Sequence, residues 1–200
     1  EYCYRVRAVN AVGPSGYAGP ACATTTAAAA AALDFGGANG YVTFGTAPEL
    51  GLAQFTVETW FRRDGAGVTT TTGTGGITDA IPLVTKGRGE AEGSNVDMNW
   101  FLGISAGTGV LGADFEEGAA GASPGLNHPV LGVTPITTGL WYHAAATYDG
   151  ATWRLYLNGN LERELYVGQP ARSACIQHAG LATGLSAAGA PAGDVNGALD

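Results

Sequence analysis

Three pairs of carboxylates sit two residues apart in this chain: Glu90 and Glu92, Asp114 and Glu116, Glu162 and Glu164. On a strand that spacing turns both side chains to one side, the arrangement an acid/base pair facing a cleft would need. Glu117 and Gly118 directly follow Glu116, and the other two pairs lie in polar turn or hairpin contexts, so solvated turns are the expected reading of all three. The histidines His128, His143 and His178 are scattered, with no HExxH spacing and no Ser-His-Asp arrangement. His143 follows Trp141 by two residues, shares its strand face, and is expected to pack or hydrogen-bond within the fold. Glu58 beside Trp60 suggests a different chemistry, because an indole ring presents an apolar face to sugar C–H groups. No residue is assigned a catalytic role.

The cysteines Cys3, Cys22 and Cys175 fit neither a CxxC nor a Cys/His zinc spacing. Cys3 and Cys22 flank a turn-rich segment at a separation suited to neighbouring strands. A disulfide there would contribute about 3 kcal/mol and would imply an oxidising compartment. Cys175 is then left without a partner in this chain.

Charge and hydropathy narrow the function classes. The net charge of -8 comes with only nine Lys and Arg, so no basic stripe exists to meet nucleic acid or anionic lipid. No apolar run approaches the roughly 20 residues of a membrane-spanning helix. The 33 glycines among 200 residues, with abundant Thr and Ala, point to short strands joined by tight turns.

The elements that must position these residues read as all-β. Tyr2 to Val9 alternates cleanly, Asn10 to Gly16 is a Gly/Pro turn, and Tyr17 to Thr25 returns as an antiparallel partner. Ala27 to Ala32 is a patternless tract, read as a linker. Further strands follow at Leu33–Phe35, Tyr41–Phe44, Phe55–Phe61, Ile81–Val84 and Trp100–Ile104, with Phe55, Val57, Thr59 and Phe61 on one face and Glu58 and Trp60 on the other. Asp64 to Thr78 is a Gly/Thr loop expected to be mobile. Ala144 to Val167 forms a three-stranded meander around two expected type I′ turns, Asp149-Gly150 and Asn158-Gly159, with Trp153, Leu155 and Leu157 on one side and Arg154 and Tyr156 on the other.

Two resemblances follow from these segments. YCYRVRAVNAVGPSGYAGPACATT resembles the last two strands of a fibronectin type III module over residues 1–26, with Tyr2 at the family's tyrosine-corner position. LDFGGANGYVTF, FTVETWF, LVTKG, WYHAAATYDGATWRLYLNGNLE and the terminal GALD resemble, in order, a laminin-G-like, concanavalin A-like lectin/glucanase jelly roll over residues 33–200. The domains expected are therefore 1–26, a linker at 27–32, and an antiparallel jelly-roll β-sandwich at 33–200. Glu1 opens the chain in mid-strand and Val195 to Asp200 reads as the start of a closing strand, so a piece of a larger protein is expected.

The second resemblance implies more. Laminarinase-like enzymes of this fold carry alternating acids on one strand, which is why Asp114 and Glu116 matter. FTVETWF matches a structural strand of the family, which favours core packing for Glu58 and Trp60. Similar domains hold a structural Ca²⁺ between the first strand region and the closing strand, where Asp34, Asn39 and Asp200 stand here; Ca²⁺ takes oxygens from acids and Gly-rich loops. The resemblance implies a noncatalytic extracellular or cell-surface module that binds a glycan or an extracellular protein. The alternatives are an accessory or catalytic domain of a secreted glycan-degrading hydrolase, and a structural spacer.

Overall fold

A computed structural model describes residues 2–4, 9–10, 13–14, 21–23 and 31–200, and the chain divides into two units, 1–31 and 32–200. In the first unit, β1 (Tyr2–Tyr4), β2 (Val9–Asn10), β3 (Gly13–Pro14) and β4 (Ala21–Ala23) pair as β1 with β4 and β2 with β3, all antiparallel. The register sets Cys3 opposite Cys22. The side chain of Tyr2, on which its tyrosine-corner role depends, and most of the alanine linker lie outside what is described.

The second unit continues with β5 (Leu33–Gly36), β6 (Val42–Thr43), β7 (Phe55–Arg63), β8 (Ala80–Lys86), β9 (Trp100–Ser105) and β10 (Val110–Phe115). Then come β11 (Val130–Pro135), β12 (Trp141–Tyr148), β13 (Thr152–Leu157) and β14 (Asn160–Tyr166). The last are β15 (Ala179–Leu181), β16 (Gly184–Leu185), β17 (Pro191–Ala192) and β18 (Asn196–Leu199). Twelve of them form two six-stranded antiparallel sheets: sheet I in the order β14-β13-β12-β7-β18-β5, and sheet II in the order β11-β10-β9-β8-β15-β6; β16 and β17 pair with each other as a separate two-stranded ribbon. This is the expected antiparallel sandwich. The closing strand β18 is an inner strand, paired with β5 on one side and β7 on the other.

Alternation builds the core. In β7 every second residue from Phe55 to Phe61 is buried and the intervening ones are exposed, and in β13 Trp153, Leu155 and Leu157 turn inward. The two sheets meet on an aromatic cluster in which Trp153 stands edge-on to Phe115 at 5.4 Å and Phe55 at 5.5 Å between ring centres.

Two local expectations are corrected. Asn158 (φ 50°) and Gly159 (φ 77°) both have the positive φ that a type I′ turn requires, but at the other corner only Gly150 does (φ 93°). There the Asp149 carboxylate accepts the amides of Ala151 (2.9 Å) and Thr152 (2.7 Å), an Asx-type closure that replaces the two-residue turn. The Gly/Thr loop is also no free excursion: Val68 bridges to Asp194, Thr70 bridges to Ala80, and Thr72 and Ile77 are buried against sheet II.

Candidate functional site

The two sheets use their outward faces differently. On sheet I the cross-strand rows are set by register. Trp141, Arg62, Ala198 and Asp34 form one row across β12, β7, β18 and β5. His143 and Trp60 form the next, extended by Asp200, whose backbone exchanges hydrogen bonds with Trp60 at 2.9 and 3.0 Å. Tyr156, Ala145 and Glu58 form the third. Trp60 is 49% exposed and Trp141 39%. Ala145, between Tyr156 and Glu58, and Ala198, beside Arg62, are both buried and add no bulk to this face.

Polar groups fix the rings. The Arg62 guanidinium lies 5.4 Å from the Trp141 ring centre, within cation–π range. It also grips Asp64 through two 2.7 Å hydrogen bonds, with Asp34 at 3.9 Å. This bidentate hydrogen bond raises the Arg62 pKa and lowers that of Asp64. Trp60 packs at 5.3 Å on the His143 ring, whose Nε2 is 3.6 Å from the Glu58 carboxylate. Core packing for Glu58 and Trp60 is therefore overturned, while His143 shares the outward face of Trp141 and packs there on Trp60. Alternation about the buried Phe61 and Tyr142 turns them to solvent. Arg62 and Tyr156 complete the face and were missed as site residues, although both alternate in phase with residues already singled out.

Asp34 and Asp200 come onto adjacent strands, two residues apart on one face. Asn39 stands in the bend that follows β5, with φ 61°. Among the described residues no three His, Cys, Asp or Glu side chains converge as a metal-binding group.

The outward face of sheet II is closed. The loop 64–79 and the segment 87–99 lie over it, and Ile77, Ala80, Met98 and Phe101 make a small second core. Gly112 permits the closure, since a Cβ there would come within 2.9 Å of Leu131 and 3.0 Å of Ile77. Under this cover sit Asp97, Asp114 and Glu116, each fully buried, and Glu117, nearly so. The solvated turn expected at Asp114-Phe-Glu116 is thus a sealed polar layer. The Thr72 hydroxyl donates to Asp114 at 2.6 Å, and burial pushes the Asp114 carboxyl up to about 8. Arg172 donates to Glu116 Oε1 at 2.6 and 2.8 Å, while burial and the facing Asp97 carboxyl push Glu116 up to about 8. His128 Nε2 meets Glu117 Oε2 at 3.2 Å, with burial lowering the imidazole pKa against that carboxylate's pull. No local sequence signal pairs Arg172 with Glu116, 56 residues away.

The remaining acid pairs do structural work. Glu90 binds Arg88 and the Gln177 amide; Glu92 accepts the Thr74 amide at 2.6 Å. Glu162 accepts the Val133 and Thr134 amides across the sandwich edge, and Glu164 holds Arg154 at 2.7 Å. At that edge a groove of about 630 Å³ is lined by Ile77, Asp79, Ser105, Leu131, Arg163 and Glu164 among others, without an aromatic ring. His178 lies 3.4 Å from the Thr43 hydroxyl. Cys175 is buried and free. The buried Lys86 ammonium donates to the carbonyls of Thr46, Cys175 and Gln177 at 2.5–3.2 Å, and burial lowers its pKa.

Solved structures share this fold at low identity. The CBM40 of a Ruminococcus gnavus IT-sialidase, bound to alpha2,3 sialyllactose, superposes with a TM-score of 0.58 at 14% identity, over 84% of this chain and 85% of that one. Domain 4 of a GH43 extracellular arabinanase from Geobacillus stearothermophilus, in complex with arabinotriose, gives 0.52 at 14% identity, over 100% and 74%. A putative carbohydrate binding protein from Bacteroides ovatus gives 0.53 at 18% identity, over 84% and 41%. No curated protein sequence matches the chain significantly. The family model of the concanavalin A-like lectin/glucanases superfamily matches residues 35–200, most of the chain and the whole sandwich from Phe35 onward, and the chain belongs to that superfamily.

Proposed function

We propose that this chain is a noncatalytic carbohydrate-binding module that works outside the cell and takes a glycan on the open face of sheet I. The observation that carries this is the pair of half-exposed indoles, Trp60 and Trp141, held beside Arg62, His143 and Glu58. An exposed ring with fixed polar neighbours can bury the apolar face of a pyranose while its hydroxyls find hydrogen-bond partners. Arg62 is engaged by Asp64 and Asp34, and Glu58 and Asp200 share the face, so neutral sugars suit it better than acidic ones. A noncatalytic reading is supported by the burial of Asp114 and Glu116, the acids that a hydrolase would have to present to substrate. The extracellular setting fits a disulfide between Cys3 and Cys22, which stand opposite each other in the backbone register of β1 and β4.

A glycan array with the intact chain, followed by titration of the best hit against the Trp60→Ala/Trp141→Ala double variant, tests the site. Binding to neutral glycans that vanishes in the double variant is expected. Undiminished binding in the variant moves the site elsewhere, and silence across the array favours the structural-spacer reading. Thiol labelling of the denatured, unreduced protein should find one reactive cysteine, Cys175; three reactive cysteines would remove the bridge.

A further inference from the structure

Under the loops over sheet II, buried side-chain oxygens stand without donors. Asp97 spends Oδ1 on the amides of Glu90 (3.1 Å) and Met98 (2.9 Å), and its Oδ2 has no hydrogen-bond partner. Glu116 spends Oε1 on Arg172 and the Gly93 amide (3.2 Å), and its Oε2 has none; the nearby Asp97 carboxyl adds to burial in pushing the Glu116 pKa up. A neutral residue adds an independent sign. Asn127 is 95% buried and stands opposite Glu116 across a β-bridge, on the same face. Its Nδ2 donates to the Thr72 carbonyl at 3.0 Å, which fixes the amide's orientation and leaves Oδ1 as an acceptor with no donor.

Buried acceptors without donors are costly, and the one guanidinium here is spent on Glu116 Oε1 and the Glu117 carbonyl. We propose that Asp97, Glu116 and Asn127 hold a hard divalent cation of the calcium class, which ties the segment 87–99 and the loop after β10 to sheet II. All-oxygen donors, two acids with one amide, and nearby loop carbonyls match the preference of Ca²⁺ for six to eight oxygens, water supplying the rest. The alternative occupant of the pair is a shared proton. The cation differs from it by also using the amide oxygen, and by making stability depend on metal concentration. This site is separate from the strand-end acids Asp34 and Asp200 on sheet I.

The test is calorimetry of the full chain at pH 8 in chelator and in millimolar CaCl₂, with isothermal titration of CaCl₂ into the chelated protein. The wild type is expected to bind one ion per chain and to melt about 5 °C or more higher in calcium. Asp97→Asn is isosteric and removes one buried charge, so it should fold without metal and lose the calcium increment. Asp34→Ala should keep that increment. The proposal is overturned if the wild type neither binds calcium nor shifts, if Asp97→Asn retains the full shift, or if Asp34→Ala alone abolishes it. Should Asp97→Asn fail to fold, the wild-type titration decides, since a shared proton gives no calcium heat.

Discussion

The outer faces of the two sheets are built from the same alternating strands yet end in opposite states. On sheet I the second face carries Trp60, Trp141 and Tyr156 among buried alanines and lies open. On sheet II the second face carries Asp114 and Glu116 and is roofed by the loop 64–79 and the segment 87–99. Apolar rings left in water retain a driving force to bury surface that only a ligand can satisfy. Acids driven under a roof must instead find donors or cations within the molecule. Variants on the open face should therefore alter recognition and spare the fold, whereas variants on the closed face should alter stability.

The largest expected effect is Arg172→Met. It leaves Glu116 buried without its guanidinium and should cost about 3–5 kcal/mol in a urea melt. A cost below about 1 kcal/mol would mean that the roof is held by its apolar contacts alone, and would erase the contrast. Thr72→Val comes next. Losing the 2.6 Å hydrogen bond to Asp114 and the one accepted from Ile77 N should destabilise by about 1–3 kcal/mol, read by the same melt.

On sheet I, Trp60→Ala should leave the unfolding free energy within about 0.5 kcal/mol while weakening glycan affinity at least tenfold, which corresponds to about 1.4 kcal/mol of binding. A stability loss as large as that of Thr72→Val would make the open face structural. The smallest effect belongs to the meander corner, where hydrogen bonds from Thr152, Arg154 and Ala151 hold Asp149 down to about 2. Its folded pKa lies below the ordinary carboxylate value, so its stabilising contribution is present above about pH 4 and fades as pH falls toward 2. Thermal melts from pH 5 to pH 2 should show a shallower acid decline in Asp149→Asn than in wild type; identical slopes would remove Asp149 from the acid response.

Much of the sandwich was legible in the chain because strand alternation is local. Phe55, Val57 and Phe61 on the face opposite Glu58 and Trp60, and Trp153, Leu155 and Leu157 on the face opposite Arg154, follow from a period of two. The Asn158-Gly159 turn was legible for the same reason, since its backbone needs residues that accept positive φ. What alternation does not say is whether the other side of a strand meets water or a loop. Trp60 was expected in the core and stands open, while Asp114 and Glu116 were expected in water and are sealed, and both reversals turn on long-range packing. Within residues 32–200 no segment comes to cover the rings of sheet I, whereas Thr72, from 42 residues away, and Arg172, from 56, close over the acids of sheet II. The sequence by itself determined the strands, their inward faces and the family they resemble; only the tertiary structure decided which outward face stayed open, because burial of a second face depends on which distant loop reaches it.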